Sequence, residues 1–245
     1  MSSTLLIIPA FNEAEALPAV LADLDDLDLD HDVVVVDDGS TDGTAAVARA
    51  GGAVVLELPF NLGIGGALRT GFLYAVRQGY EQAVQFDGDG QHDPAEIAGL
   101  LAALDDGADM AVGSRFAGTT HSYEIGRVRA RAMGVLRGAV KGLSGQSFSD
   151  TSSGFRAFRR PVLEFFSRSY PSEYMESVEA LVLASLNGFR ITEIPVHMRG
   201  REGGEPSNRR WRLVYHYMRL LLVLTASASL RGRAVPSDPP TQNQS

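Results

Sequence analysis

Mostly apolar stretches of strand length alternate with amphipathic ones along the first part of this chain. Residues 4–8, 33–36, 53–58, 83–86 and 110–112 are short runs dominated by Leu, Ile, Val, Ala and Phe, as in strands buried on both faces. Between them apolar residues recur three and four apart, as Leu17, Val20, Leu21 and Leu24 do. That spacing predicts helices over residues 13–24, up to residue 50, over 67–78 and over 95–104. Ser40 or Thr41 is expected to cap the second. The alternation predicts an α/β fold, a mostly parallel central sheet flanked by helices. Ligands of such sheets bind beyond the carboxyl ends of the strands.

The later pattern is more broken. Gly113-Ser114-Arg115 ends the fifth strand, and a polar segment runs to Glu124. A helix is expected over 125–141, with Val128, Ala132, Val135, Leu136 and Val140 on one stripe. Its basic residues, Arg127, Arg129, Arg131, Arg137 and Lys141, form either a solvated surface or a set of phosphate contacts near a membrane. Residues 150–156 read as a compact turn into a short strand, 173–187 as a helix and 190–196 as another strand. Beyond a glycine-rich loop carrying Arg199 and Arg201, residues 211–230 mix arginines with Trp211, Leu213, Val214, Tyr217 and Leu220. The uncharged part after Arg219 is too short to span a bilayer as a helix. An amphipathic helix lying in the membrane interface is expected, the other option being a helix packed on the domain or on a second copy. The organisation is thus a domain over 1–208, an amphipathic helix over 209–230 and a disordered, Pro- and Ser-rich tail over 231–245.

Charge sharpens the division. The net charge of −8 hides 20 acidic and 3 basic residues before position 113, against 10 and 19 after it. An acidic half suits a metal ion and ribose hydroxyls, and a basic half suits phosphates or an anionic membrane surface. There is no cysteine, which excludes disulfides and thiolate metal sites. The first residues lack a basic region and a cleavage site, so no signal peptide is expected, and the location predicted is cytoplasmic, peripheral at the inner face of the membrane. No nucleic-acid partner is expected.

Four polar motifs fall at the expected strand ends: Pro9-Ala10-Phe11-Asn12-Glu13, Asp37-Asp38-Gly39-Ser40-Thr41, Asn61-Leu62-Gly63-Ile64-Gly65-Gly66 and Asp87-Gly88-Asp89-Gly90-Gln91. In the last, two carboxylates one residue apart leave a glycine-loosened turn. Oxygen donors so placed suit a hard divalent cation that keeps positions open for phosphate, with Gln91 as a third ligand. The bland alternative is an acidic loop whose Asp93-Pro94 starts the next helix. Spacing disposes of other motifs. Leu68 stands where a dinucleotide fingerprint needs its third glycine. Arg49 stands where a calcium loop starting at Asp38 needs its bidentate Glu. No Gly-Lys-Ser/Thr phosphate loop is present.

Taken in order, these motifs resemble those of family 2 glycosyltransferases of the GT-A fold, and most of all the dolichyl- and polyprenyl-phosphate sugar synthases. Gly113-Ser114-Arg115, Ser153-Gly154-Phe155-Arg156 and Glu193-Ile194-Pro195-Val196 add to the likeness, which covers residues 4–208. The resemblance implies that Pro9, Phe11 and Glu13 line a nucleotide pocket, that Asp38 bonds the base or ribose, and that Asn61 and Gly63 shape the pocket floor. It implies that Asp87, Asp89 and Gln91 bind Mg²⁺ or Mn²⁺ and the diphosphate. Arg115, Arg127 and Arg131 would face phosphates, and Arg201, or Arg199 in its place, would close over the diphosphate. The implied reaction is inverting transfer from a UDP- or GDP-sugar to a polyprenyl phosphate, with a small membrane protein as a further candidate partner. Phosphate, with a second pKa of about 6, is ionised at neutral pH and needs no strong base. A polysaccharide or small-molecule hydroxyl acceptor is the alternative and would need a base, for which Glu176, Glu179, Asp93 and Asp150 are candidates. A non-catalytic nucleotide- or membrane-binding protein is the third reading.

Overall fold

The computed structural model describes residues 3–117, 134, 138, 140–142, 145–171 and 176–197. All lie within residues 1–207, one compact unit. The expected helices over 125–141 and 209–230 and the tail fall wholly or mostly outside the described residues, as do Arg127, Arg131, Arg199 and Arg201.

Among the described residues seven strands form one sheet: β1 (Thr4–Ala10), β2 (His31–Asp37), β3 (Val54–Glu57), β4 (Gln82–Gln85), β5 (Met110–Ser114), β6 (Arg156–Arg159) and β7 (Ile191–Pro195). Their order is β3-β2-β1-β4-β6-β5-β7. Only β6 runs against its neighbours β4 and β5; the other pairs are parallel. Chain order reverses on either side of β1, which makes the crevice at the carboxyl ends of β1 and β4 the natural place for a ligand.

Both faces of β1 are covered, and its side chains alternate between two cores. Leu6, Ile8 and Ala10 pack with α1 (Leu17–Asp25) and α4 (Ile97–Asp105) in one apolar cluster. Ile7 points the other way, toward α3 (Ile64–Gln78). A Cβ on Gly71 of α3 would lie 2.4 Å from Ile7 Cγ2, so glycine is what lets this helix sit on the strand. Phe72, fully buried on the same helix, meets Phe158 at 5.0 Å and Tyr170 at 5.1 Å between ring centroids. A buried phenylalanine stabilises by about 1.5–3 kcal/mol, and this cluster seats α5 (Arg160–Ser169) against α3.

Several expected boundaries move. The first helix begins at Leu17, with Pro18 in its first turn, where a missing N–H costs nothing. Residues 13–16 form the turn before it. The second helix, α2 (Thr44–Ala50), is not capped by Ser40 or Thr41: the Asp42 carboxylate accepts from the Thr44 N–H at 2.9 Å and from its hydroxyl. Helix α3 starts at Ile64, three residues before expectation. The helix α5 and the reversed direction of β6 were not anticipated. A further helix, α6, spans Glu176–Leu186.

Candidate active site

The loops after β1 and β2 are stitched together by side chains. Asn12, at φ +56°, donates its N–H to Ser40 Oγ at 2.9 Å, and its Oδ1 accepts from the Thr41 N–H at 2.9 Å. Glu13 N–H donates to Thr44 Oγ1 at 3.0 Å. Ser40 and Thr41 are therefore spent on shaping this lip. Phe11 beside it is 46% exposed, an apolar ring open for a planar group to stack on.

Asp38 is buried, and its Oδ1 accepts from the Leu62 N–H at 2.7 Å. Burial raises the Asp38 carboxyl, with Asp37 adding to it, while the N–H groups of Leu62 and Gly63 pull it back. Asn61 Oδ1 accepts from the Gly63 N–H at 3.0 Å. Gly39, at φ +73°, lies under this turn: a Cβ there would be 2.8 Å from the Phe60 carbonyl carbon. One of Asp38's oxygens thus holds the Asn61–Gly63 turn, a job the sequence did not reveal.

The acidic turn follows β4 directly. The β1–β4 ladder extends through Phe86 N–H to Ile7 carbonyl oxygen, 3.0 Å, and Asp87 emerges next. The Asp87 N–H donates to His92 Nδ1 at 3.0 Å, and His92 Nε2 lies 3.4 Å from Asp87 Oδ2. Asp87 Oδ1 is buried with no hydrogen-bond partner among the described residues. Burial raises the Asp87 carboxyl; His92, Arg156 and Arg115 oppose this and Asp89 adds to it. Asp89 accepts from the Gln91 N–H at 3.1 Å and from its side-chain amide. Asp87, Asp89 and Gln91 therefore share one turn, as expected.

Two further segments close on this turn. A Cβ on Gly154 would stand 3.2 Å from both Asp87 Oδ2 and Gln85 Nε2, so the Ser153–Phe155 segment approaches the carboxylate by virtue of its glycine. Arg115 forks onto the fully buried Asp150, Nε to Oδ2 at 2.7 Å and Nη2 to Oδ1 at 2.9 Å, and Nη2 also reaches Ser152 Oγ at 2.8 Å. Burial alone would raise Asp150, but the Arg115 guanidinium, with the N–H groups of Ser152 and Arg115, holds its carboxyl below the usual range. Glu193 of β7 accepts from the N–H groups of Ser149 and Asp150, each at 2.9 Å. Arg115 is thereby fixed by Asp150 and Ser152 of the loop before β6, which Glu193 of β7 braces, and its charge is felt at Asp87.

Arg156 is fully buried on β6, and its Nη2 donates to the Ser177 carbonyl at 2.7 Å. Burial also raises Glu176, which lies near Arg156 and accepts from Ser177 Oγ at 2.6 Å. His92 and Arg156 were missed as site residues, and Asp150 was expected only as a candidate base for a hydroxyl acceptor, not as the partner of Arg115. His92 stands inside the acidic motif and Arg156 inside Ser153–Arg156, so a signal existed for both. Nothing local links Asp150 to an arginine 35 positions away.

The donor set fits a divalent ion held on one side. Among the described residues no three His, Asp or Glu side chains gather as a metal cage. Two carboxylates, one with a buried unsatisfied oxygen, and a neighbouring amide suit Mg²⁺ or Mn²⁺ whose remaining ligands are phosphate and water.

Residues 5–166 match the Glycosyl transferase family 2 profile. Polyprenol monophosphomannose synthase of Mycolicibacterium smegmatis is 35% identical over 212 residues, covering 82% of this chain and 79% of that protein. Undecaprenyl-phosphate mannosyltransferase of Micrococcus luteus is 34% identical over 214 residues, 82% and 85% of the two chains. Among solved structures, glucosyl-3-phosphoglycerate synthase from Mycobacterium tuberculosis, in complex with Mn²⁺, UDP-glucose and phosphoglyceric acid, superposes with a TM-score of 0.67. Its identity is 22%, and the match covers 93% of this chain and 79% of that one. The architecture is the GT-A-like α/β fold expected from the sequence.

Proposed function

Because the chain belongs to glycosyl transferase family 2, we propose that it transfers a sugar, with inversion, from a UDP- or GDP-sugar to a polyprenyl phosphate at the cytoplasmic face of the membrane. The observation that carries this reading is the acidic turn at the switch point of the sheet, with Asp87 Oδ1 buried and unsatisfied. The names of the relatives supply the acceptor class, and the excess of basic residues after position 112 is consistent with it.

Asp87, Asp89 and Gln91 would hold Mg²⁺ or Mn²⁺, whose chemistry when bound is to neutralise the leaving nucleoside diphosphate. Phe11, with Pro9 and Glu13, offers the nucleotide its apolar wall, and Asp38 keeps the Asn61–Gly63 floor in place. Arg115, locked by Asp150, presents a positive edge to the phosphates; Arg127, Arg131 and Arg201 are assigned to phosphates on the family resemblance. An ionised acceptor phosphate is already nucleophilic, so these residues need only orient it against the donor's own charge. That suits a site where Asp150 is tied to Arg115 and Asp93 accepts from the Ala95 N–H. The second reading, a hydroxyl acceptor, has one supporting observation: buried Glu176 has the raised carboxyl that a general base would use.

Incubation with Mg²⁺ or Mn²⁺, polyprenyl phosphate and a panel of UDP- and GDP-sugars should yield a glycolipid on thin-layer chromatography. Transfer to a soluble glycan with no lipid product for any donor would overturn the reading. No helix among the described residues is long and apolar enough to cross a membrane. Residues 209–230 are proposed to bind the membrane surface, so truncation after Ser207 should abolish co-sedimentation with anionic liposomes. Undiminished co-sedimentation would remove that role.

A further inference from the structure

His92 faces Asp87 twice: its Nδ1 meets the Asp87 N–H and its Nε2 lies near the carboxylate. The imidazole is 1% exposed. It stacks on Phe155 at 4.6 Å and 17° between planes, and meets the edge of Phe86 at 5.3 Å and 80°. A ring held between two aromatics has little freedom to turn. Its Nδ1 accepts the Asp87 N–H, so that nitrogen carries no proton, and the ring's proton belongs on Nε2. Nε2 is buried, has no hydrogen-bond partner among the described residues, and lies 3.4 Å from Asp87 Oδ2. A shift of a few tenths of an ångström would bring an N–H···O contact into the usual range. Gly154 leaves the space this needs, since a Cβ there would press on the same oxygen.

We infer that His92 is a positioning residue, its neutral Nε2–H form clamping Asp87 so that the carboxylate is oriented before any ion arrives. The inference rests on the reading of Asp87 as a metal ligand. A carboxylate on a flexible glycine-rich turn would otherwise lose rotational freedom on binding, and a clamp made in advance removes that cost. Removing partners that orient a ligating side chain typically weakens metal affinity roughly 10–100-fold.

The test uses the full chain and two readouts. In the ligand-free, ¹⁵N-histidine-labelled protein, long-range ¹H–¹⁵N spectra should show His92 with bare Nδ1 and protonated Nε2. Calorimetry with Mn²⁺ and UDP then compares wild type, His92→Gln, His92→Phe and Asp87→Asn. His92→Phe keeps the ring between Phe86 and Phe155 but loses both contacts, and should bind roughly 10–100-fold more weakly. His92→Gln, whose amide N–H can reach Oδ2, should recover part of that loss. A side chain that only fills space would give the opposite order, with phenylalanine equal to wild type. That order, or a spectrum showing protonated Nδ1, overturns the clamp; the spectrum decides whether or not the phenylalanine variant folds. Asp87→Asn binding Mn²⁺ and UDP like wild type would overturn the underlying metal reading, whatever the His92 tautomer.

Discussion

Asp87→Asn should slow transfer about 10³-fold while leaving the protein as stable as wild type, or more stable, at neutral pH. The loss follows from the site's proposed task. Removing one charged ligand forfeits much of the stabilisation of the leaving diphosphate, roughly 4 kcal/mol, which is a factor of about 10³ in rate. Stability should move the other way because the Asp87 carboxyl is raised by burial. A group raised in the folded state stabilises it below the unfolded pKa, and that contribution disappears as pH rises through the folded value. At neutral pH the ionised form is therefore a burden, and asparagine removes it. Steady-state transfer and a thermal melt measure both. A variant that melts lower and still binds the donor with its metal would mean Asp87 is structural.

The second large effect concerns Arg115. Asp150→Asn should lower stability by about 3 kcal/mol, the cost of breaking a buried pair and stranding its partner. The lower end of that range applies because the Arg115 side chain is 19% exposed. For a unit of this size that is a fall of about 9 °C in Tm. The pH dependence has a definite sign. Asp150 is lowered by Arg115, so its contribution is present above the ordinary aspartate pKa and is lost as pH falls through the folded value. Wild type should therefore lose part of its advantage over Asp150→Asn on acidification. Equal melting temperatures at neutral pH would show that the pair contributes nothing.

The first four strand-helix units were legible because each is a local pattern: an apolar strand, a polar turn, then an amphipathic helix. The acidic turn was legible for the same reason, since Asp87, Asp89 and Gln91 are neighbours in sequence. Strand β6 was harder. Its Arg156-Ala157-Phe158-Arg159 is short, and its direction depends on pairing with Gln85 and Val112, distant in the chain. A fully buried arginine also contradicts the ordinary polarity of a core. Helix α5 opens with Arg160-Pro161 and carries charge on its outer face, so its buried stripe of Val162, Leu163 and Phe166 was overlooked. Ser40 and Thr41 looked like caps because they precede a helix; a tertiary partner, Asn12, claimed them. Asp38 likewise showed its charge in the sequence but not the backbone turn it holds.

The proposal has the acidic turn anchoring the donor while a lipid phosphate attacks. Polyprenyl phosphate and 3-phosphoglycerate offered together with a radiolabelled nucleotide sugar and Mn²⁺, to wild type and to Asp87→Asn, test it. Label is expected in the lipid phase only, and about 10³-fold less of it with the variant. Label in the phosphoglycerate with none in the lipid, or lipid product undiminished in Asp87→Asn, would contradict it.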